Sequence, residues 1–192
     1  MATNIARKNF ADLQYNIDSL TMDNDLRYYT RASETPDLMI SADEIFKSTA
    51  GSLENFHMCY DVEFMMSHEI TADNTSPFIS VSGALRGSFV VVYMPTGSYV
   101  PTIKKYIANG ILVKAIVITK MGIVGQGKNP IRAMSFEECF ICNLKECRDI
   151  IKFDFRFNRH NDEFNIYDQT GQNTGKVAAN FDWKTWAVGD GS

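Results

Sequence analysis

Gly122 to Asn129, GIVGQGKN, is one residue short of a phosphate-binding loop. Gly122, Gly127 and Lys128 stand where backbone N–H groups and an ammonium could cradle phosphates, but Asn129 replaces the Ser or Thr that would ligate magnesium. Such a loop also needs a helix directly behind it, whose N-terminal N–H groups hold the anion. Here Pro130 and a strand-like run follow. The stretch therefore reads as a hairpin loop, with Lys128 in a solvated turn. Cys139 and Cys142 form a CxxC, with Cys147 five residues on and Cys59 far upstream. Zinc would want a second ligand pair at similar spacing, and no histidine supplies one locally. The surrounding MSFEECFICNL reads as a strand, on which residues three apart point to opposite faces. That leaves reduced structural thiols, with no zinc and no intrachain disulfide expected.

The three histidines, His57, His68 and His160, are scattered and read as surface or loop residues. His68–Glu69 lacks the second histidine of a zinc-protease motif, since Thr71 and Ala72 follow. No serine sits in a GxSxG context. Glu137 and Glu138 fall on opposite faces if they lie on a strand, so no carboxylate pair stands out. Phe153, Phe155 and Phe157, at period two, are core positions before they are a base-stacking platform, and the opposite face mixes Lys152, Asp154 and Arg156. No catalytic constellation emerges, and the expectation is a non-enzyme without cofactors. The charge balance, 23 acidic against 19 basic residues and a net of −4, argues against binding nucleic acid through bulk charge. No run approaches the roughly 18 apolar residues that span a bilayer. MATNIARKNFADLQ has no apolar signal-peptide region, so synthesis in the cytoplasm is expected, with any export independent of such a peptide.

The elements that would position these residues are mostly strands. The stretch Ser88 to Met121 is the organising one. Phe89 to Tyr93 is a continuous apolar run, followed by Pro95, Gly97 and Pro101. Val100, Ile103, Tyr106 and Ile107 then recur at helical spacing. Pro101 suits a first turn and Gly110 a C-terminal stop. Ile111 to Thr119 returns to β-branched strand. Upstream, Leu13, Tyr15 and Ile17 alternate as a strand. Ser41 with Glu44 forms a capping box for a short helix from Ala42 into the late forties, with Ile40 and Ile45 at staple spacing. Phe56 to Met66 alternates without a break and predicts one long antiparallel strand with a wet face. Residues 78–94 predict one or two strands bent at Gly83 or Gly87. Met134 to Leu144, Ile151 to Phe157, Phe164 to Tyr167 and Val177 to Trp183 predict four more, with turns at RHND and QTGQNTG. The sum is seven to nine strands, mostly antiparallel, with one central helix. That favours a mainly β protein, an antiparallel β-barrel of two sheets, in which residues 56–192 form the barrel and residues 1–55 an N-terminal extension containing a short helix.

The order of these features resembles the Hcp family, the tube-forming proteins of bacterial type VI secretion systems, or a related phage-type tail-tube protein. SYVPTIKKYIANGILVKAIVI is similar to the family's strand–helix–strand unit. MSFEECFICNL resembles the acidic-hydrophobic strand that follows, and KFDFRFN and GKVAANFDWKT its last strands. The match spans residues 57–186, and residues 1–55 have no counterpart. The resemblance implies a structural subunit that forms homohexameric rings, stacks them into an inner tube and carries effectors. The implied partners are other copies of the chain, a contractile sheath, spike proteins and secreted effectors. It also implies a cytoplasmic protein secreted without a signal peptide. The 71–77 loop would project from a barrel end, so Thr71, Asp73, Asn74 and Thr75 are candidate contacts between rings. A monomeric, lipocalin-like ligand-binding barrel is the alternative.

Overall fold

The computed structural model describes residues 36–46, 56–68, 85–87, 89–125, 127–183 and 187–190. Among these are twelve strands and one helix, more strands than the seven to nine expected: β1 (Leu38–Ser41), β2 (Phe56–Met58), β3 (Asp61–Glu63), β4 (Met66–His68), β5 (Leu85–Gly87), β6 (Val90–Pro95), α1 (Val100–Asn109), β7 (Val113–Val124), β8 (Gly127–Cys147), β9 (Ile150–Arg156), β10 (Arg159–Tyr167), β11 (Asn173–Asp182) and β12 (Ala187–Asp190). Every pairing is antiparallel. One layer runs β12-β11-β10-β8-β7-β1-β2, the other joins β3, β6 and β9, and β8 belongs to both. Its first part pairs with β7 and β10, and the part from Phe140 onward pairs with β9. This shared strand is what closes the two sheets into a barrel.

The helix forms where expected. Pro101 lies in its first turn, and Gly110 ends it at φ 59°, in the left-handed region. The Gly110 N–H donates to Ile107 O at 3.2 Å and the Ile111 N–H to Tyr106 O at 3.0 Å, which satisfies the last carbonyls. Val100 and Ile103 are buried and join Val113, Ile116, Phe136 and Cys139 in the core.

The run Phe56–Met66 is not one strand. It divides into β2, β3 and the start of β4, each paired in a different sheet. The handover is visible in the backbone. The Cys59 N–H donates to Leu38 O at 2.9 Å, and the next N–H, of Tyr60, donates to Tyr93 O on the other sheet at 2.8 Å. The inward face changes at this corner: His57 and Cys59, expected on the wet face, turn toward the core before it, and Val62 and Phe64 pack against the core after it. Between residues 78 and 94, β5 ends at Gly87 and β6 begins at Val90, and Gly83 lies outside the described residues. The barrel sheet also begins before the boundary read between residues 55 and 56. β1 lies between β2 and β7, with Met39 and Ile40 buried. After it the Ile45 and Phe46 N–H groups donate to Ala42 O at 2.9 and 2.8 Å, a single turn. The rest of the helix expected there, the strand expected at Leu13–Ile17 and Trp186 lie outside the described residues.

A backbone kink at Glu138 decides which side chains of β8 enter the core. Met134 and Phe136 are buried at period two, then Cys139 and Ile141. Glu138 stands between them at φ 53°, a left-handed kink across which the register with β7 is kept while the inward face shifts by one. The 122–129 stretch is a tight hairpin, with Val124 opposite Gly127 and Gly125 at φ 63°. Lys128 is not in a solvated turn. It lies on β8, and its Nζ sits 2.6 Å from an Asp37 carboxylate oxygen. The turn read at RHND lies earlier, at Phe157–Asn158, and His160 is a strand residue.

Candidate assembly surface

The residues with chemical potential do not converge. Cys139 is buried, its thiol donating to Phe136 O at 3.2 Å, and burial pushes its pKa up to about 12. Cys59 is also buried, and desolvation with the nearby Asp61 charge raises its pKa well above the ordinary value. Cys142 is partly exposed, with its pKa raised first by desolvation and then by Asp154. All four thiols are unpaired, and the described residues hold no group of three metal-ligating side chains. Glu137 and Glu138 do share a partner, contrary to the expectation from alternation. They lie 3.6 and 3.9 Å from Arg159, with the backbone kinked at Glu138, and Arg159 also reaches Asp182 at 3.4 Å.

The histidines differ from the surface reading. His57 is half-buried, with ring centroids 5.3 Å from Phe46 and 5.1 Å from Tyr99, and desolvation lowers its pKa. His160 is only 4 % exposed. It stacks on Phe136 at 4.7 Å and on Phe181 at 5.6 Å, with the edges of Phe64 and Phe157 closing the sides. Neither ring nitrogen has a hydrogen-bond partner among the described residues. Desolvation lowers its pKa to about 4, with Asp162 opposing and Arg132 reinforcing the shift. The sequence carries no sign of this, because burial of position 160 depends on Phe136 and Phe181 arriving from other strands.

The same face of β10 leaves the core four residues later. His160, Asp162, Phe164 and Ile166 point to one side, and their partners on β11 are Phe181, Ala179, Val177 and Gly175. His160 is sealed, but Phe164 and Ile166 are each 47 % exposed and Val177 is 63 % exposed. The inner face of the large sheet thus runs on past the part that the smaller sheet covers. Arg132 fixes the boundary. Its Nε and Nη2 donate to the two Asp162 carboxylate oxygens at 2.9 and 2.6 Å, and its guanidinium lies 4.8 Å from the Phe164 ring centroid. Beside this apolar face, β11 has an open edge. β12 pairs only with Ala179–Asp182, so among the described residues no strand flanks Asn173 to Ala178 on that side. An apolar sheet face next to unpaired backbone is a surface that another strand can cover.

No family model matches this sequence, and no curated protein matches it at a significant level. Solved structures do match by shape. A type six secretion system protein superposes with a TM-score of 0.71 at 15 % identity, over 81 % of this chain and 100 % of that one. The fold is Hcp-like. An Hcp protein from Salmonella typhimurium gives 0.61 at 13 % identity, over 79 % of this chain and 97 % of its own. An Hcp protein from an enteroaggregative E. coli gives 0.62 at 12 %, over 78 % and 99 %. The Hcp-like architecture explains why the order of elements was informative while no single motif was. At these identities the common ground is the path of the strands around one helix. Thr71, Asp73, Asn74 and Thr75 lie outside the described residues, as does the rest of the 71–77 loop. No helix among the described residues is long and apolar enough to cross a membrane.

Proposed function

We propose that this chain is a structural subunit of a contractile secretion or injection apparatus, in which six copies close into a ring and rings stack into an inner tube that carries effectors. The reading rests on one observation above others: an Hcp-like barrel whose core-facing sheet continues into an exposed apolar face beside a strand edge that no strand flanks among the described residues. A ring uses two different patches on each subunit, and closure leaves neither exposed. Six subunits, a contractile sheath, spike proteins and effectors as partners, and export without a signal peptide come from the likeness to Hcp proteins. In this reading the chain is not an enzyme, and the 71–77 loop with Thr71, Asp73, Asn74 and Thr75 touches the neighbouring ring. Residues 1–55 act as an N-terminal extension that also lends β1 to the barrel. Native mass spectrometry and negative-stain microscopy test the proposal, with a ring around a central hole as the expected result. Trimming the 71–77 loop is expected to weaken stacking and leave single rings intact. A chain that stays monomeric at high concentration overturns the assembly reading.

A further inference from the structure

We propose that His160 is an acid-sensitive latch, whose protonation loosens the junction between the barrel core and the projecting part of β10 and β11 and thereby releases neighbouring copies of the chain. The release of copies rests on the assembly reading above; the latch itself rests on geometry. His160 is the point where the inner face of the large sheet passes from sealed to open. It is sandwiched between Phe136 of β8 and Phe181 of β11, and Phe164 follows four residues later on the same side.

The groups around the ring give a proton no welcome. From β8 comes the Arg132 cation, which repels a second positive charge. On β10 itself, Asp162 would attract one, but both of its carboxylate oxygens already accept from Arg132. His160 itself lines a cleft together with Arg159, Glu137 and Asp182, whose side chains are tied to one another across β8, β10 and β11. Toward Phe64 and Phe157 the ring meets aromatic edges. The ring faces offer a proton-bearing imidazole some cation–π attraction. Against that, both N–H groups would be buried without an acceptor, and this cost outweighs the attraction. The charged ring therefore favours any opening that lets water in, including separation of β10 from β8, where Phe136 stands directly opposite His160.

The sign follows from proton uptake. The closed junction holds the His160 pKa at about 4, against an ordinary 6.5. Between those values the open form binds the proton and the closed form does not, so the closed form is fully favoured above pH 6.5 and loses ground as pH falls toward 4. The shift corresponds to about two to three orders of magnitude in the closed-to-open equilibrium across that window.

The test uses the full chain and His160→Phe, which keeps an aromatic ring in the stack and removes the titration. Assembly is followed by light scattering on a sizing column, and stability by urea unfolding, from about pH 7.5 to about pH 4, a range that spans both values of the histidine pKa. Wild type is expected to lose rings and stability on acidification, and His160→Phe to keep its rings and lose about a hundredfold less in its folding equilibrium. His160→Leu serves if the phenylalanine variant does not fold. Equal pH dependence in wild type and variant overturns the latch, as does an NMR titration of the His160 ring near its ordinary pKa. Wild-type rings that persist at the acid end of the range despite a shared loss of stability overturn the link to assembly. Absence of rings at neutral pH strikes the assembly reading instead, and the urea comparison then still decides the latch.

Discussion

Val177→Asp separates the stability of the subunit from its association. In the lone subunit Val177 is 63 % exposed, next to Phe164 and Ile166 at 47 % each. An acidic residue there meets solvent, so the cost to the subunit is no more than about 1 kcal/mol, mostly strand propensity. The balance changes when a neighbour covers the face. Burying a whole valine side chain contributes roughly 1.5–3 kcal/mol, so the exposed part of Val177 has about 1–2 kcal/mol left to gain in a contact. An aspartate forfeits that gain and must also shed water from its carboxylate without a partner. The combined loss is about 3 kcal/mol per contact, or about a hundredfold in each association constant. A closed ring repeats the contact at every interface, so the loss compounds. Sizing-column light scattering across a concentration series should show rings for wild type and monomers for Val177→Asp. Urea unfolding of the two should nearly coincide. Val177→Thr, which keeps the shape, should fall between them. Rings of Val177→Asp that persist at wild-type concentrations would refute the assignment of this face to assembly.

Phe136→Ala should cost about 3–5 kcal/mol by urea unfolding, because Phe136 is fully buried and packs against Phe64, Phe155, Phe157 and His160; a loss under about 1 kcal/mol would show that this cluster is not the centre of the core. Two glycines at similar φ should differ. Gly110→Ala meets nothing within 4 Å and should lose about 1 kcal/mol from backbone strain alone, whereas a Cβ on Gly125 would lie 2.7 Å from Thr170 O and should cost clearly more, since it forces two hairpin tips apart. Equal thermal melts for the two variants would contradict that packing. Lys128→Ala should lose no more than about 1 kcal/mol through its ion pair with Asp37 and leave assembly unchanged; nucleotide binding abolished by this change, measured by calorimetry, would instead revive a phosphate-loop role.

What the sequence determined by itself is local. α1 was legible to within a residue, because the 3.6-residue stripe, Pro101 and Gly110 all act within one stretch of chain. β6 was legible as a continuous apolar run, and β9 because it keeps its alternation from end to end. The mainly β barrel followed from the surplus of such runs, and the Hcp-like order of elements from their succession. The tertiary structure decided everything that depends on which strand lies beside which. Phe56–Met66 alternates throughout, yet Cys59 and Tyr60 hydrogen-bond to different sheets. Glu137 and Glu138 reach one arginine where the backbone at Glu138 takes a positive φ, a kink invisible in the residue types. His160 has a polar neighbourhood in sequence and an aromatic one in space. Phe164, Ile166 and Val177 follow the same alternation as the buried core, and nothing in that pattern tells where the covering sheet stops. Alternation records which side of a sheet a residue faces, and burial also requires another layer opposite it, which only the folded chain supplies.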